Sequence, residues 1–215
     1  MTDWIDISQP LTNNIANWPG DTPFSYSLTA SIKETTSVNI GQITTSLHIG
    51  THIDAPYHFD ANGSTVEQLD INHYVGDAVV FDVSHVDKIT DNVLNQLTWP
   101  ANIKRVLLRT SLPNIPTRFP ENIPRLDPSI AAFLQEKEVT LLGVDIPSVD
   151  PPESKDLRTH HTLHKHGIHI LENITLDQVS PGIYELIALP LPIQGADGSP
   201  VRAVLRPKER GQQDD

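Results

Sequence analysis

The chain has 215 residues, 38% hydrophobic and 20% charged, which suits one buried core and excludes a disordered or collagen-like polymer. A formal net charge of −12 argues against nucleic acid or an anionic membrane as the main partner. The absence of cysteine removes disulfide scaffolds, cysteine zinc fingers, iron–sulfur clusters and thiol nucleophiles together.

From the N-terminus, MTDWIDISQPL has neither a basic region nor a long apolar one, so no secretory signal is expected. No apolar run reaches the length that spans a bilayer, and the expected setting is the cytoplasm. Alternation of apolar and polar residues predicts strands at 24–32 and 38–47. Continuous apolar runs predict buried strands at 78–83, 105–109, 140–144, 168–171, 184–189 and 201–205. Helices are fewer and short, as 18 prolines suggest. One is expected near 90–97. A second, at 127–138, has Asp127 as cap and Pro128 in the first turn. A third, near 154–166, is stopped by Gly167. Residues 208–215 read as a polar, frayed tail. Strands outnumber helices and no linker divides the chain. The expectation is a single mixed α/β, β-rich domain over residues 1–207, without the regular βαβ alternation of a doubly wound sheet.

Histidine placement carries the functional signal. Eight of the ten histidines fall in two windows, one holding His48, His52 and His58, the other His160, His161, His164, His166 and His169. In the first window, H-x-G-T-H-x-D-x-P-x-H, Gly50 and Pro56 break regular structure and display three imidazoles and the Asp54 carboxylate on an irregular loop. Imidazole and carboxylate without thiolate suit Zn²⁺, Mn²⁺ or Fe²⁺. His48, His52 and Asp54 would supply three ligands and leave a position open for water. In the second window, Glu172 ends an apolar stretch. A carboxylate buried there needs a partner, whether a metal ion, an arginine or a proton.

These residues, with Asp6-Ile-Ser8, Trp18-Pro-Gly-Asp-Thr-Pro23, Gly143-Val-Asp-Ile-Pro-Ser148, Ser154-Lys155, His160-His161, Leu171-Glu172-Asn173, Leu186-Ile-Ala-Leu-Pro-Leu191 and Pro200-Val-Arg-Ala203, cover nearly the whole chain. The pattern resembles the bacterial kynurenine formamidases (arylformamidases) of the cyclase-like metal-dependent hydrolase family. The resemblance implies a swivelling β/β/α fold, a homodimer or larger homo-oligomer, and hydrolysis of N-formyl-L-kynurenine to L-kynurenine and formate in tryptophan catabolism. It further implies one zinc on His48, His52 and Asp54 and a second on His160 and Glu172, with Asp54 and Glu172 bridging. By the same resemblance His58 gives and takes the proton and Trp18 contacts the substrate. The other histidines of the second window receive no role.

The implied chemistry agrees with the residue types. Water activated by zinc attacks the formyl carbon, and the aryl amine leaves only once protonated, a task for an imidazole that exchanges protons near neutral pH. Trp18, in a turn beside Pro19-Gly20, is either a core anchor or a flat face for the anilide ring. Two further readings stand beside this one. A relative of the same family could act on isatin, a cyclic imide or another small amide, or a non-catalytic metal-binding protein could use the same scaffold. The donor set does not separate Zn²⁺ from Mn²⁺.

Overall fold

The computed structural model describes residues 3–111 and 113–208. In chain order its strands are β1 (Ile5–Asp6), β2 (Ser25–Ala30), β3 (Ile40–Thr44), β4 (His52–Asp54), β5 (Val75–Asp82), β6 (Lys88–Ile89), β7 (Arg105–Arg109), β8 (Arg125–Leu126), β9 (Leu141–Val144), β10 (His169–Glu172), β11 (Gly182–Ile187), β12 (Gly198–Pro200) and β13 (Val204–Pro207). The α-helices are α1 (Ile32–Thr35), α2 (Asp91–Asn95), α3 (Ile130–Glu136) and α4 (Arg158–Lys165).

Nine strands form one sheet in the order β1-β13-β11-β5-β7-β9-β10-β4-β12. Its centre, β5-β7-β9-β10, is parallel. Strands buried on both faces read as continuous aliphatic runs, which is why these four were visible in the sequence. The two faces pack differently. Val79, Val106, Leu108, Leu142 and Ile170 meet the helices through Leu94, Ile130, Leu134 and Leu163. Alternate residues Ala78, Val80, Leu107, Leu141 and Leu171 meet the antiparallel flank, including Leu186 and Leu205, as the sheet curls over. Fold class therefore follows the expectation, a β-rich α/β sheet, but the expected lack of βαβ alternation is corrected. Successive parallel strands are joined by crossovers carrying α2, α3 and α4, a βαβ arrangement whose helices are too short to show the period.

Several local expectations are corrected. Residues 24–32 and 38–47 do form strands, β2 and β3, paired as a separate two-stranded ribbon. Cross-strand register puts Tyr26 opposite Ile43 and Leu28 opposite Gly41, so one face is apolar as the alternation predicted. That face is open to solvent: Tyr26, Leu28 and Ile43 are 50%, 49% and 59% exposed. Alternation reports a two-faced strand and not what covers it. Residues 201–203 lie outside any strand, and β13 starts at Val204. Most of the expected tail lies outside the described residues. Lys208 does not fray, because its N–H donates to Ile183 and its ammonium pairs with Asp77 at 2.9 Å. Among the described residues no helix is long and apolar enough to cross a membrane.

Gly143, in the central strand β9, is required by the packing above it. A Cβ built there would stand 2.3 Å from Leu107 Cδ2 and 3.2 Å from Ile174 Cδ1, both on fully buried side chains. Gly143→Ala should therefore lower unfolding free energy by about 1–3 kcal/mol, the usual cost of overpacking a dense core. Urea unfolding measures it, and an unchanged midpoint would show that Leu107 has room to move.

Candidate metal centre and adjoining cleft

The site is assembled by strand register. β4 pairs antiparallel with β10, placing His52 opposite Glu172, and β12 covers the other edge of β4. His52 and Asp54 thus lie on a buried strand, which corrects the expectation of an irregular loop. Three residues are too few to show a period, and Gly50 and Pro56 on either side dominate the pattern. Gly50 has φ +56°, and a Cβ there would meet Leu11 at 2.8 Å, so the bend from His48 into β4 needs glycine. His48 precedes that bend, and His58 ends a 3₁₀ turn, Pro56–His58, that follows β4. α4 brings His160, and β10 ends on Glu172.

Three overlapping groups result: His48-His52-Asp54, Asp54-His160-Glu172 and His48-His58-Asp197, the donor atoms of each lying within 4.8 Å of one another. His52, Asp54, His160 and Glu172 are buried, His48 is half-buried and His58 exposed. His52 Nδ1 donates to the Gly50 carbonyl at 2.8 Å, which turns Nε2 toward Asp54 Oδ1 and Glu172 Oε2, each 3.4 Å away. His160 is oriented in the same manner. Its Nδ1 meets Asp150 Oδ2 at 2.7 Å, and its Nε2 lies 3.4 Å from Asp54 Oδ2 and 3.8 Å from Glu172 Oε1. Asp150 also accepts from the backbone N–H groups of Thr159 and His160, so one carboxylate holds both the helix start and its ligand histidine. Glu172 Oε1 accepts from Val149 N at 2.8 Å, and no arginine pairs with it among the described residues.

Electrostatics show what the cluster demands. Burial opposes a charge on His52 and His160, yet the carboxylates outweigh it: Asp54 and Glu172 push His52 up to about 10, and Asp150 and Asp54 push His160 up to about 10. Burial likewise opposes His48, which Asp197 and Asp54 raise to about 9. Burial favours a neutral Asp54, but hydrogen bonds from His160, His48 and His52 hold its carboxyl well below the usual range. Asp54 Oδ2 is nevertheless buried with no hydrogen-bond partner. A buried oxygen of that kind, on the carboxylate that two imidazole–carboxylate triads share, fits a divalent metal ion.

Asp197 was not foreseen. It lies in a turn at Gly195-Ala-Asp-Gly198, where an aspartate ordinarily signals only local hydrogen bonding. Its Oδ2 is 3.0 Å from His48 Nε2 and 3.6 Å from His58 Nδ1, and these imidazoles hold its carboxyl well below the ordinary value. The His58 ring lies 3.9 Å from that of His48 and 6.0 Å from that of His160, centroid to centroid. The other second-window histidines stay outside the three groups. His161 and His164 flank the Phe59 ring, His166 donates to the Thr162 carbonyl, and His169 meets the Tyr74 hydroxyl at 2.9 Å.

A cleft adjoins the cluster at His48 and is walled by Trp18, Phe119, Asn114 and Arg118. Trp18 is half-buried and stands edge-on to Phe119, with ring centroids 5.4 Å apart and planes at 87°. Its place is the cleft wall rather than the core. Asp150→Asn should keep the fold but weaken divalent-metal binding by about 10–100-fold, as loss of a partner orienting a ligand histidine commonly does. Competition against a chromogenic chelator measures this; unchanged affinity would remove Asp150 from the metal site.

Comparison with known proteins agrees with this geometry. Residues 5–151 match the family described as "Putative cyclase". A kynurenine formamidase of Bacillus cereus is 57% identical over 206 residues, 96% of this chain and 98% of that one. One from Bacillus anthracis is 56% identical over 204 residues, 95% and 97% of the two chains. Among solved structures, a potential metal-dependent hydrolase with cyclase activity superposes with TM-score 0.82 at 27% identity, covering 97% of this chain and all of its own. An isatin hydrolase bound to thioisatinate reaches TM-score 0.81 at 21% identity over 96% and 93% of the chains, a likeness of fold alone.

Proposed function

This chain belongs to the cyclase family of metal-dependent hydrolases, and from that premise we propose a formamidase whose residues act as follows. The protein hydrolyses N-formyl-L-kynurenine to L-kynurenine and formate, a cleavage of an aryl amide C–N bond. The observation that carries the reading is the buried pair of triads sharing Asp54, opening at His48 into an aromatic-walled cleft. His48, His52 and Asp54 would hold one zinc ion, and His160 and Glu172, with Asp54 common to both groups, would hold a second. When bound, such ions supply Lewis acidity toward water and the formyl carbonyl.

The remaining work belongs to side chains. His58 overlooks the cluster from its more exposed side, next to His48, with Asp197 near its Nδ1. It takes a proton from the attacking water and returns it to the departing nitrogen as the C–N bond breaks, so the amine leaves neutral. The half-exposed His58 can exchange that proton with solvent between turnovers. Trp18 and Phe119 offer the anilide ring an edge and a face. Trp18 turns toward the cleft because the chain reverses there, Asp21 N donating to the Trp18 carbonyl at 3.0 Å.

The functional protein is proposed to be a homodimer or larger homo-oligomer, and the exposed Tyr26, Leu28 and Ile43 face supplies apolar surface for a second copy.

Purified protein should convert N-formyl-L-kynurenine, followed by the near-ultraviolet absorbance of kynurenine, and a chelator should abolish turnover until Zn²⁺ is restored. Absence of turnover by folded, metal-loaded protein would refute the substrate. His58→Ala should lower kcat by about 10²–10⁴-fold, the usual range for a general acid–base group, while metal content stays unchanged. Full activity in that variant would exclude the proton-transfer role.

A further inference from the structure

The cleft holds features that hydrolysis of a formamide does not use. Arg118 is the sole arginine or lysine among the lining residues, and its guanidinium has no ion pair or hydrogen bond among the described residues. Asn114 lines the same cleft, and its Oδ1 is buried without a hydrogen-bond partner. An unengaged cation and an unengaged acceptor in one cleft are complementary to a zwitterion. We propose that Arg118 and Asn114 form a subsite for the α-amino-acid end of the substrate, Arg118 binding the carboxylate and Asn114 Oδ1 accepting from the ammonium.

The segment bearing them is built to hold still. Thr110 N and Oγ1 donate to Asp145 Oδ1 at 3.0 and 2.6 Å. Asn114 N donates to Asp177 Oδ1, and Asn114 Nδ2 donates to the Asp145 carbonyl, both at 3.0 Å. These bonds engage the amide nitrogen of Asn114 and leave its oxygen as the free acceptor. The Pro116 carbonyl accepts from Ala16 N at 2.8 Å, tying the segment to the strand of chain that carries Trp18. Arg118 N closes a turn on the Ile115 carbonyl at 3.0 Å, and Pro113, Pro116 and Pro120 restrict the backbone further. A guanidinium on such a frame loses little freedom on binding and can grip a carboxylate in two-pronged fashion. Arg118 is exposed and His48 half-buried, so the cleft runs from an outer cationic end to the inner cluster. The formyl group sits at the inner end, the ring against the Trp18–Phe119 pair, and the amino acid at the mouth.

The inference rests on the formamidase reading and is tested with three substrates. N-formyl-L-kynurenine carries both charges, 3-(2-formamidobenzoyl)propanoate only the carboxylate, and 2-formamidoacetophenone neither. Arg118→Ala should raise KM roughly 10–100-fold for the first two with kcat changed by less than about twofold, the signature of lost ground-state binding through a charge-assisted pair. It should leave 2-formamidoacetophenone unaffected, and Arg118→Lys should recover part of the loss. Asn114→Ala should raise KM only for the substrate bearing an ammonium. Equal effects on all three substrates, or none on any, overturn the subsite while leaving the formamidase reading intact. If metal-loaded wild-type protein cleaves none of them, the formamidase reading falls and the subsite with it.

Discussion

Two carboxylates, Asp54 and Glu172, are buried side by side, and the rest of the structure is organised around making that tolerable. Each is less than 5% exposed, and an ionised carboxylate out of water is costly unless charge and hydrogen bonds surround it. Three imidazoles and a backbone N–H converge on the pair, yet one oxygen of Asp54 still lacks a partner. Cation affinity is thus the direct complement of the burial. The chain supplies most of the compensation, and the geometry leaves an ion to supply the remainder.

Holding such a cluster requires backbone that cannot drift. The β4–β10 pairing makes the His52–Glu172 separation a property of the sheet, because a slip by one residue would reverse every side chain across it. His160 arrives from the opposite direction, on a helix whose first turn is anchored by Asp150. A strand, a second strand and a helix start each fix one part of the donor set. The cleft, in contrast, is walled by connecting segments cross-tied to one another. Metal chemistry and substrate choice therefore sit on different parts of the architecture, which accords with isatin hydrolases sharing this fold.

The convergence of these imidazoles and carboxylates was legible because histidine is scarce and its spacing is distinctive, and because Glu172 closes an apolar strand. The central parallel strands were legible for the same reason they are stable: both faces are buried, so their residues are uniformly aliphatic. What stayed hidden depends on contacts between distant residues. Asp197 meets His48 across 149 positions, and nothing within its own turn announces that encounter. β4 and β12 are strands only because β10 and each other's backbones are there to pair with. Arg118 and Asn114 are polar residues among prolines that nothing in the sequence singles out. Among the described residues, what distinguishes them is the unengaged Arg118 guanidinium and Asn114 Oδ1, and a sequence does not display absent partners. The ribbon shows the converse limit, since its alternation reveals a two-faced strand and says nothing of what covers it.

That ribbon has a bearing on how the molecule can vary. Its two ends lie together, Ser46 N donating to the Thr22 carbonyl at 3.1 Å and Ser46 Oγ to Asp21 Oδ2 at 3.1 Å. Trp18 stands just before this clasp and His48 just after it, so the clasp sets the distance between the cleft wall and the first histidine of the cluster. Beyond Phe24, which packs on Ile15 and Ile49, and Tyr26, whose backbone is bonded to Asn13, residues 27–43 form a topological side branch. Lengthening or trimming such a branch alters loop-closure entropy only logarithmically, leaving the clasp and the chemistry on either side in register. The hairpin can therefore diverge in size and surface as an independent appendage while the residues flanking it stay in place.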